Sequence, residues 1–228
     1  MTRDVGVVIV AGGSSTRTSG TELKQFRWIA GKPMLLHSLQ AFMSRPDVGS
    51  VVCVIPRDFV ADPPPWIFQC DVDRLLLSIG GETRTDSVRN GLEDLPDDAA
   101  IALIHDAARP LVDDAVVDRV IAKAREGDCA VPALPIIDTV KEVDSEGYVT
   151  RTMDRSRLWR VQTPQGFPRE IIERAHREAR QARATATDDA ALCERIGARV
   201  AIVPGNPRMM KVTTETDFER VEALFTAR

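Results

Sequence analysis

A short glycine-rich stretch near the start of the sequence carries residue types that bind phosphate groups. It reads IVAGGSSTRTSGTELKQF and covers residues 9–26. Gly12 and Gly13 let backbone N–H groups approach an anion closely. Arg17 and Lys24 follow, and two such cations can neutralise the charge that builds on a phosphorus atom under attack. The stretch therefore predicts a triphosphate site rather than a solvated turn with incidental cations.

The stretch matches neither of the two common phosphate loops. A Walker A loop requires GxxxxGK[ST] and the dinucleotide fingerprint requires GxGxxG, and neither spacing occurs in residues 9–26. Ser14, Ser15 and Thr16 supply additional donors. Because the stretch directly follows an apolar strand-like run, we expect the site at the carboxyl end of the first strand of an open α/β sheet.

The composition excludes several classes of protein. The 228 residues carry a formal net charge of −4 and are 43% hydrophobic, which supports a packed core and gives no basic field for nucleic acid. No apolar run approaches the ~20 residues of a membrane span, and the start of the sequence is predicted to be a strand rather than a secretory signal. The widely spaced cysteines 53, 70, 129 and 193 predict reduced core thiols and a cytoplasmic protein.

Apolar runs alternate with amphipathic segments through the first half of the sequence. The predicted strands are residues 5–10, 51–56, 75–79, 101–105 and 130–134. The predicted helices are residues 33–43, 85–95 and 113–126, and Asp113 is the expected N-cap of the last of these. This order predicts an α/β fold with a single Rossmann-like, mostly parallel sheet and helices on both faces.

The second half of the sequence predicts a different set of elements. Residues 138–155 are expected to form a protruding β-hairpin arm, either a surface flap or a dimer arm. Helices are predicted at 168–183 and 188–196, a strand at 199–203, and a last helix after the capping-box spacing of Thr214 and Asp217. The proline-rich residues 61–68 are predicted to be a loop. The whole chain, 1–228, is interpreted as a single domain.

Six ordered motifs suggest a family. AGG…R…LKQF resembles the loop of nucleotidyltransferases that join a sugar or polyol phosphate to a nucleotide. It is followed by GGETRTDSVRNGL (80–92), HDAARP (105–110), DTVK (138–141), DRSRLWRVQTPQGF (154–167) and MKVTTETD (210–217). Together they resemble the 2-C-methyl-D-erythritol 4-phosphate cytidylyltransferase family over residues 5 to about 217. The resemblance implies a CTP- and Mg²⁺-dependent enzyme of non-mevalonate isoprenoid synthesis that releases pyrophosphate.

The resemblance also assigns roles to individual residues. The candidate catalytic residues are Arg17, Lys24, Arg155 and Lys211. The candidate nucleotide-binding residues are Ala11, Gly12, Gly13, Ser15, Gly81, Ser87, Asp106 and Ala107. The candidate substrate-binding residues are Arg109, Thr139, Thr163 and Thr187. Asp106 is also the candidate magnesium ligand.

Several of these positions also have a purely structural explanation. Asp106 is a candidate cap for the turn that follows it, and Gly81 a candidate tight exit from a strand. Ser87 is a candidate helix start, and Thr187 a candidate N-cap. His105 is expected to be packed and hydrogen-bonded rather than to act as a base. The first loop departs from the family pattern at Ser15 and Leu23, where glycine and proline are common.

The resemblance further implies how the site is assembled. In the family the arm that carries Thr139 and Arg155 crosses to a second subunit, so we expect a homodimer with arm exchange and shared sites. The partners are CTP and a polyol phosphate, without nucleic acid or membrane. Two alternatives stay open: a ribitol 5-phosphate cytidylyltransferase, and a nucleotide-binding regulator with an inactive site.

Overall fold

The computed structural model describes residues 2–13 and 23–227. The strands are β1 (Val5–Val10), β2 (Trp28–Ile29), β3 (Lys32–Pro33), β4 (Val48–Ile55), β5 (Leu75–Ile79), β6 (Ile101–Asp106), β7 (Cys129–Pro135), β8 (Lys141–Val143), β9 (Val149–Thr152), β10 (Trp159–Val161), β11 (Gln165–Pro168) and β12 (Val200–Pro204). The helices are α1 (Met34–Met43), α2 (Arg57–Ala61), α3 (Arg84–Glu93), α4 (Asp114–Arg125), α5 (Arg169–Gln181), α6 (Asp189–Arg195) and α7 (Glu215–Thr226).

Eight strands form one central sheet in the order β10-β7-β11-β6-β1-β4-β5, and β12 also pairs with β7. The pairs β1–β4, β1–β6, β4–β5 and β7–β12 are parallel. The pairs that involve β10 and β11 are antiparallel. The predicted mostly parallel Rossmann-like sheet is therefore confirmed, with two antiparallel strands that the sequence pattern did not indicate.

Successive residues of β1 point to opposite faces of the sheet and so divide the core. Val7 and Ile9 pack in the cluster that includes α1 and α4, while Val8 packs in the cluster that includes α3, α5 and α6. All three side chains are fully buried. Helices thus cover both faces, as predicted, and β1 reads as a continuous apolar run for that reason.

Two helix N-caps lie where the sequence signals predict them, and a third does not. The Asp113 side chain accepts a hydrogen bond from Val116 N at the start of α4. Thr214 and Asp217 form a capping box at the start of α7, which confirms the predicted spacing. At α6 the cap is Asp188, which accepts from Ala191 N, so the suggestion that Thr187 is the cap was wrong.

Two segments differ from or extend the predictions. The proline-rich residues 61–68, predicted to be a loop, contain the end of α2 and part of a 3₁₀ turn at Pro65–Gln69. Pro65 starts this turn, where a missing N–H is not needed, and the turn buries Ile67. The hairpin predicted at 138–155 is present as β8 and β9, which pair only with each other.

The cysteines lie in the environment that the sequence predicts. All four cysteines are free and buried, as predicted for core thiols. Burial raises the pKa of the Cys70 thiol to about 11, which keeps it protonated near neutral pH.

Within residues 2–13 and 23–227, the helices are all too short or too polar to span a bilayer.

Candidate active site

A cleft of about 850 Å³ lies at the carboxyl ends of the central parallel strands. The backbone after β1, the start of α3, the end of β6 and the segment before α7 contribute to its walls. Nine predicted site residues line it: Ala11, Gly12, Gly13, Lys24, Gly81, Ser87, Asp106, Ala107 and Lys211. Residues that are far apart in the sequence thus meet at the edge where open α/β sheets bind ligands.

The Asp106 carboxylate is held by two cations. Its Oδ1 accepts from Arg84 Nε at 3.1 Å, and its Oδ2 accepts from Lys211 Nζ at 2.7 Å. Burial alone would raise the pKa of Asp106, but the charges of Arg84 and Lys211 outweigh burial and hold the pKa well below its usual value. The carboxylate is therefore ionised near neutral pH.

Arg84 links Asp106 to a second buried carboxylate. Its Nη1 donates to Asp189 Oδ2 at 2.7 Å. Asp189 is itself buried and lies 3.2 Å from His176 Nε2 through its other oxygen. A guanidinium that binds two carboxylates at once has a fixed orientation. Arg84 therefore fixes the position of the Asp106 side chain at the cleft wall.

Lys24 and its neighbours are anchored to the last part of the chain. Lys24 Nζ donates to Val212 O at 2.6 Å. Arg27 binds both carboxylate oxygens of Glu215, at 2.6 and 2.8 Å, and its guanidinium carbon lies 3.9 Å from the centre of the Phe218 ring. These contacts bring Lys24 and Lys211 to the same cleft.

Gln25 binds the backbone at the start of the glycine-rich stretch. The side chain is buried, and its Nε2 donates to Ala11 O at 2.6 Å. This bond joins the 3₁₀ turn Lys24–Phe26 to the residue that directly follows β1. The described ends of the loop are thereby held together, while Ser15 and Arg17 lie outside the described residues.

The start of α3 forms the opposite wall. Gly81 N donates to Ser87 Oγ at 3.0 Å, and Ser87 Oγ donates to Thr83 O at 2.9 Å. A methyl group at Gly81 would stand 2.3 Å from Asp86 Cβ, which is far closer than carbon atoms tolerate. The tight strand exit therefore applies to Gly81. The helix start does not apply to Ser87, because α3 begins at Arg84 with Thr83 as its N-cap and Ser87 lies within the first turn. Both residues also face the cleft.

The remaining predicted site residues do not line this cleft. Thr163 is buried, and its Oγ1 accepts from Asp106 N at 3.1 Å, so it supports the end of β6 from behind. Arg109 donates to Met209 O at 2.8 Å and to Val161 O at 3.3 Å. Thr139, Arg155 and Thr187 are exposed on the surface.

His105 is packed, as expected. The ring is fully buried, with Nε2 3.0 Å from Arg109 O and Nδ1 3.2 Å from Thr163 Oγ1. Burial lowers the pKa of His105 to about 4. The ring is therefore neutral at pH 7 and joins the turn after β6 to Thr163.

Several residues of the cleft were not singled out from the sequence. Gln25, Glu82, Thr83, Arg84 and Thr213 all line it. Each lies inside one of the six sequence motifs, and this position is the sequence signal that could have identified it as a site residue. Arg84 in particular stands in the same motif as Gly81 and Ser87, but nothing in its local spacing indicates a partner at position 106.

Asp106 meets the requirements of a magnesium ligand. Mg²⁺ in nucleotide enzymes is held by one or two carboxylates together with phosphate oxygens rather than by a protein cage. Among the residues that the structure describes, no three His, Cys, Asp or Glu side chains cluster as a metal cage would require. A single ionised carboxylate at the wall of a cleft of about 850 Å³ agrees with this mode of binding.

Comparison with known proteins decides the family. The model of the 2-C-methyl-D-erythritol 4-phosphate cytidylyltransferase family matches residues 5–227. The chain belongs to this family.

Relatives agree with this assignment. A 2-C-methyl-D-erythritol 4-phosphate cytidylyltransferase of Syntrophus aciditrophicus is 40% identical over 222 residues, covering 96% of this chain and 94% of the relative. The bifunctional enzyme IspD/IspF of Rhodospirillum rubrum is 44% identical over 226 residues, covering 97% of this chain but 57% of the relative. Members of the family therefore occur both alone and as part of longer proteins.

A solved structure matches the whole fold. The crystal structure of 2-C-methyl-D-erythritol 4-phosphate cytidylyltransferase from Thermus thermophilus aligns with a TM-score of 0.81 at 34% identity. The alignment covers 97% of this chain and 98% of that chain. This cytidylyltransferase family is thus matched in sequence and in structure.

Proposed function

We propose that the protein transfers a cytidylyl group from CTP to 2-C-methyl-D-erythritol 4-phosphate and releases pyrophosphate. The observation that carries this proposal is the convergence of Lys24, Asp106 and Lys211 on one cleft at the end of β1 and β6. The reaction joins two polyanions, so it requires cations at the site of phosphorus attack. The family assignment supplies the identity of the nucleotide and of the acceptor.

The proposed chemistry is a direct, in-line displacement. A phosphate oxygen of the acceptor attacks the α-phosphorus of CTP, and the bond from that phosphorus to the bridging oxygen breaks. Both bonding electrons leave with pyrophosphate. A phosphate monoester is already ionised near neutral pH, so the step does not require a strong general base. Catalysis then rests on positioning and on charge stabilisation.

The proposed roles follow from charge and position. Arg17 and Lys24 stabilise the negative transition state, and the backbone of Ala11, Gly12 and Gly13 approaches the triphosphate. Gly81 and Ser87 line the cleft beside the start of α3. Gly81 N and the Ser87 hydroxyl already donate to Ser87 Oγ and Thr83 O, so the proposed contact to the cytosine edge is through the remaining lone pair of Ser87 Oγ. Ser15 and Ala107 complete the proposed nucleotide contacts.

Asp106 and Lys211 are proposed to act on the phosphates from the wall that the end of β6 and the segment before α7 form. The Lys211 ammonium, held 2.7 Å from Asp106, is available to the acceptor phosphate. When bound, magnesium would neutralise part of the triphosphate charge, and Asp106 would hold it at the cleft wall. Arg109 and Thr163 support the turn after β6, with Thr163 bonded to Asp106 N.

A second subunit is proposed to complete each site. Thr139 and Arg155 lie on the exposed arm, which pairs with none of the central strands. Large apolar side chains are exposed around it at Ile137, Val143, Tyr148, Val149 and Trp159. A cluster of this kind is typical of a surface that another chain covers. We therefore propose a homodimer in which the arm brings Thr139 and Arg155 to the partner's cleft.

Three placements complete the proposal. Thr187, which directly precedes the α6 cap, is proposed to contact the acceptor. The chain is proposed to act as one domain. Because its cysteines are widely spaced, free and buried, we propose that it acts in the cytoplasm.

The deciding experiment measures pyrophosphate release from CTP in the presence of Mg²⁺. Parallel reactions contain 2-C-methyl-D-erythritol 4-phosphate, ribitol 5-phosphate or no acceptor. Release with the methylerythritol phosphate alone supports the proposal. Release with ribitol 5-phosphate alone would retain the chemistry but replace the acceptor. CTP binding without release in any reaction would indicate a nucleotide-binding regulator.

A further inference from the structure

A second cavity, of about 390 Å³, lies between α3 and α5 on the sheet face opposite α1 and α4. Four arginines line it: Arg89 from α3, and Arg169, Arg177 and Arg180 from α5. None of them is among the residues that line the larger cleft. We call this cavity the arginine groove.

The charges of the arginine groove are unbalanced. Glu93 and Glu173 also line it, so four guanidinium groups face two carboxylates. Glu173 already binds Arg169 at 2.6 Å, and Arg89 binds Asp86 at 2.7 Å. In the part of the chain that the structure describes, the guanidinium groups of Arg177 and Arg180 have neither an ion-pair nor a hydrogen-bond partner. Two guanidinium groups at one cavity therefore remain available to an anion.

His176 supplies an independent observation. It lines the arginine groove, yet only 3% of the residue is exposed. Its Nε2 lies 3.2 Å from Asp189 Oδ1, whereas its Nδ1 is buried without a hydrogen-bond partner in residues 2–13 and 23–227. Buried polar atoms are nearly always hydrogen-bonded, and an exception indicates an unoccupied partner position. If Nε2–H donates to Asp189, Nδ1 is an acceptor, so a protonated phosphate oxygen can supply that partner, whereas a fully ionised phosphate can do so only when the ring carries both protons.

We propose that the arginine groove binds the phosphate or diphosphate group of a small-molecule ligand. Guanidinium groups pair with phosphate oxygens through two parallel hydrogen bonds, which makes arginine the preferred residue for such anions. Arg177 and Arg180 lie three positions apart on α5, so their side chains lie on the same side of the helix. This site goes beyond the proposed cytidylyl transfer, which uses the other cleft.

Hydrogen bonds connect residues of the two cavities, so activity alone cannot separate them. Asp86, which binds Arg89, also closes the capping box with Thr83, a residue of the larger cleft. His176 similarly contacts Asp189, which binds Arg84. The test therefore needs a signal that belongs to one cavity only.

The chain contains three histidines, which provide such a signal. His176 lines the arginine groove, His105 directly precedes Asp106 of the larger cleft, and His37 is on α1. Ring resonances of ¹⁵N-histidine-labelled protein are followed by NMR during titration with inorganic pyrophosphate or with methyl phosphate. We expect saturable shifts of the His176 resonances with at least one of the two probes. The probe that binds more tightly distinguishes a diphosphate from a phosphate monoester.

Matched variants make the test specific. The Arg177→Gln/Arg180→Gln double variant should weaken the His176 titration more than about tenfold, since it removes charge-assisted hydrogen bonds. The Arg174→Gln/Arg195→Gln variant removes the same charge from exposed positions that do not line the groove, and should leave the titration unchanged. Lys24→Ala should likewise leave it unchanged. Shifts confined to His105, equal weakening in both double variants, or no saturable His176 shift with either probe would overturn the proposal.

Discussion

Lys211 Nζ donates to Asp106 Oδ2 at 2.7 Å, although 105 positions separate the two residues in the sequence. The carboxylate also binds Arg84, so one ionised side chain connects three parts of the chain at the cleft. An acceptor phosphate at Lys211 would meet an ammonium group whose position is already fixed. Preorganised charge of this kind needs no rearrangement when negative charge develops.

Replacing Asp106 tests this preorganisation. Asp106→Asn keeps the side-chain shape but removes the charge that orders Lys211 and Arg84. We expect kcat/KM for pyrophosphate release to fall at least about tenfold, and the free energy of unfolding to fall by ~1–3 kcal/mol. Asp98→Asn, at an exposed position, is the control. A variant as active as the wild type would show that the carboxylate has no part in the reaction.

Replacing Lys24 tests the proposed stabilisation of the transition state. Lys24→Ala removes the cation between the glycine loop and Val212. We expect kcat to fall by about 10²–10³-fold, as is typical for the loss of one group that stabilises developing charge. Lys32→Ala is the control, because Lys32 is exposed and binds Gln40. Circular dichroism should show both variants folded, and a normal kcat for folded Lys24→Ala would refute the role.

Mixing two inactive variants tests the shared site. Lys24→Ala damages the cleft and Arg155→Ala damages the arm, so each homodimer should be inactive. If the arm serves the partner's cleft, a heterodimer has one site with both groups intact. After unfolding and refolding of an equal mixture, about a quarter of wild-type activity should return, since half of the dimers carry one good site of two. Without recovery, each site uses its own arm or none.

The buried His105 ring should make the free energy of unfolding depend on pH. Its pKa is about 4 in the folded protein, below the ordinary value of 6.5. The unfolded chain therefore binds the proton more readily, so the contribution of His105 to stability is complete above pH 6.5 and is lost as the pH falls toward 4. We expect about 3 kcal/mol from this shift.

The measurement compares urea unfolding at several pH values from 7 to 4. Carboxylates also titrate in this range, so the informative quantity is the difference between the wild type and His105→Gln. The difference should shrink as the pH falls from 7 toward 4. A difference that does not change with pH would contradict the buried, neutral ring.

Sequence patterns located the parallel half of the fold almost residue for residue. The strands at 5–10 and 75–79 were predicted with their observed bounds, because both are short apolar runs between turns. β1 is covered on both faces, whereas β5 is an edge strand on which Leu76 is exposed. β10 and β11 were missed. WRV and QGFP show no alternation or apolar run long enough to indicate strands, and their pairing with β7 and β6 depends on tertiary contacts.

Sequence patterns predicted only part of the candidate site. Glycine and lysine motifs pointed to Gly12, Gly81, Lys24 and Lys211, and all four line the cleft. The Arg84–Asp189 pair was missed because it joins residues 105 positions apart, and periodicity reports only local neighbours. The assignments of Arg17 and Arg155 stay predictions, the first outside the described residues and the second dependent on a partner chain.

The anchors of the first loop lie at the far end of the chain. Lys24 binds Val212, and Arg27 binds Glu215, in both cases 188 positions later. A ribosome makes the chain from its amino terminus, so the parallel strands that carry the loop emerge first. A nascent chain that has not yet released Glu215 lacks both anchors. The chain should therefore bind CTP only after the final helix has emerged from the ribosome.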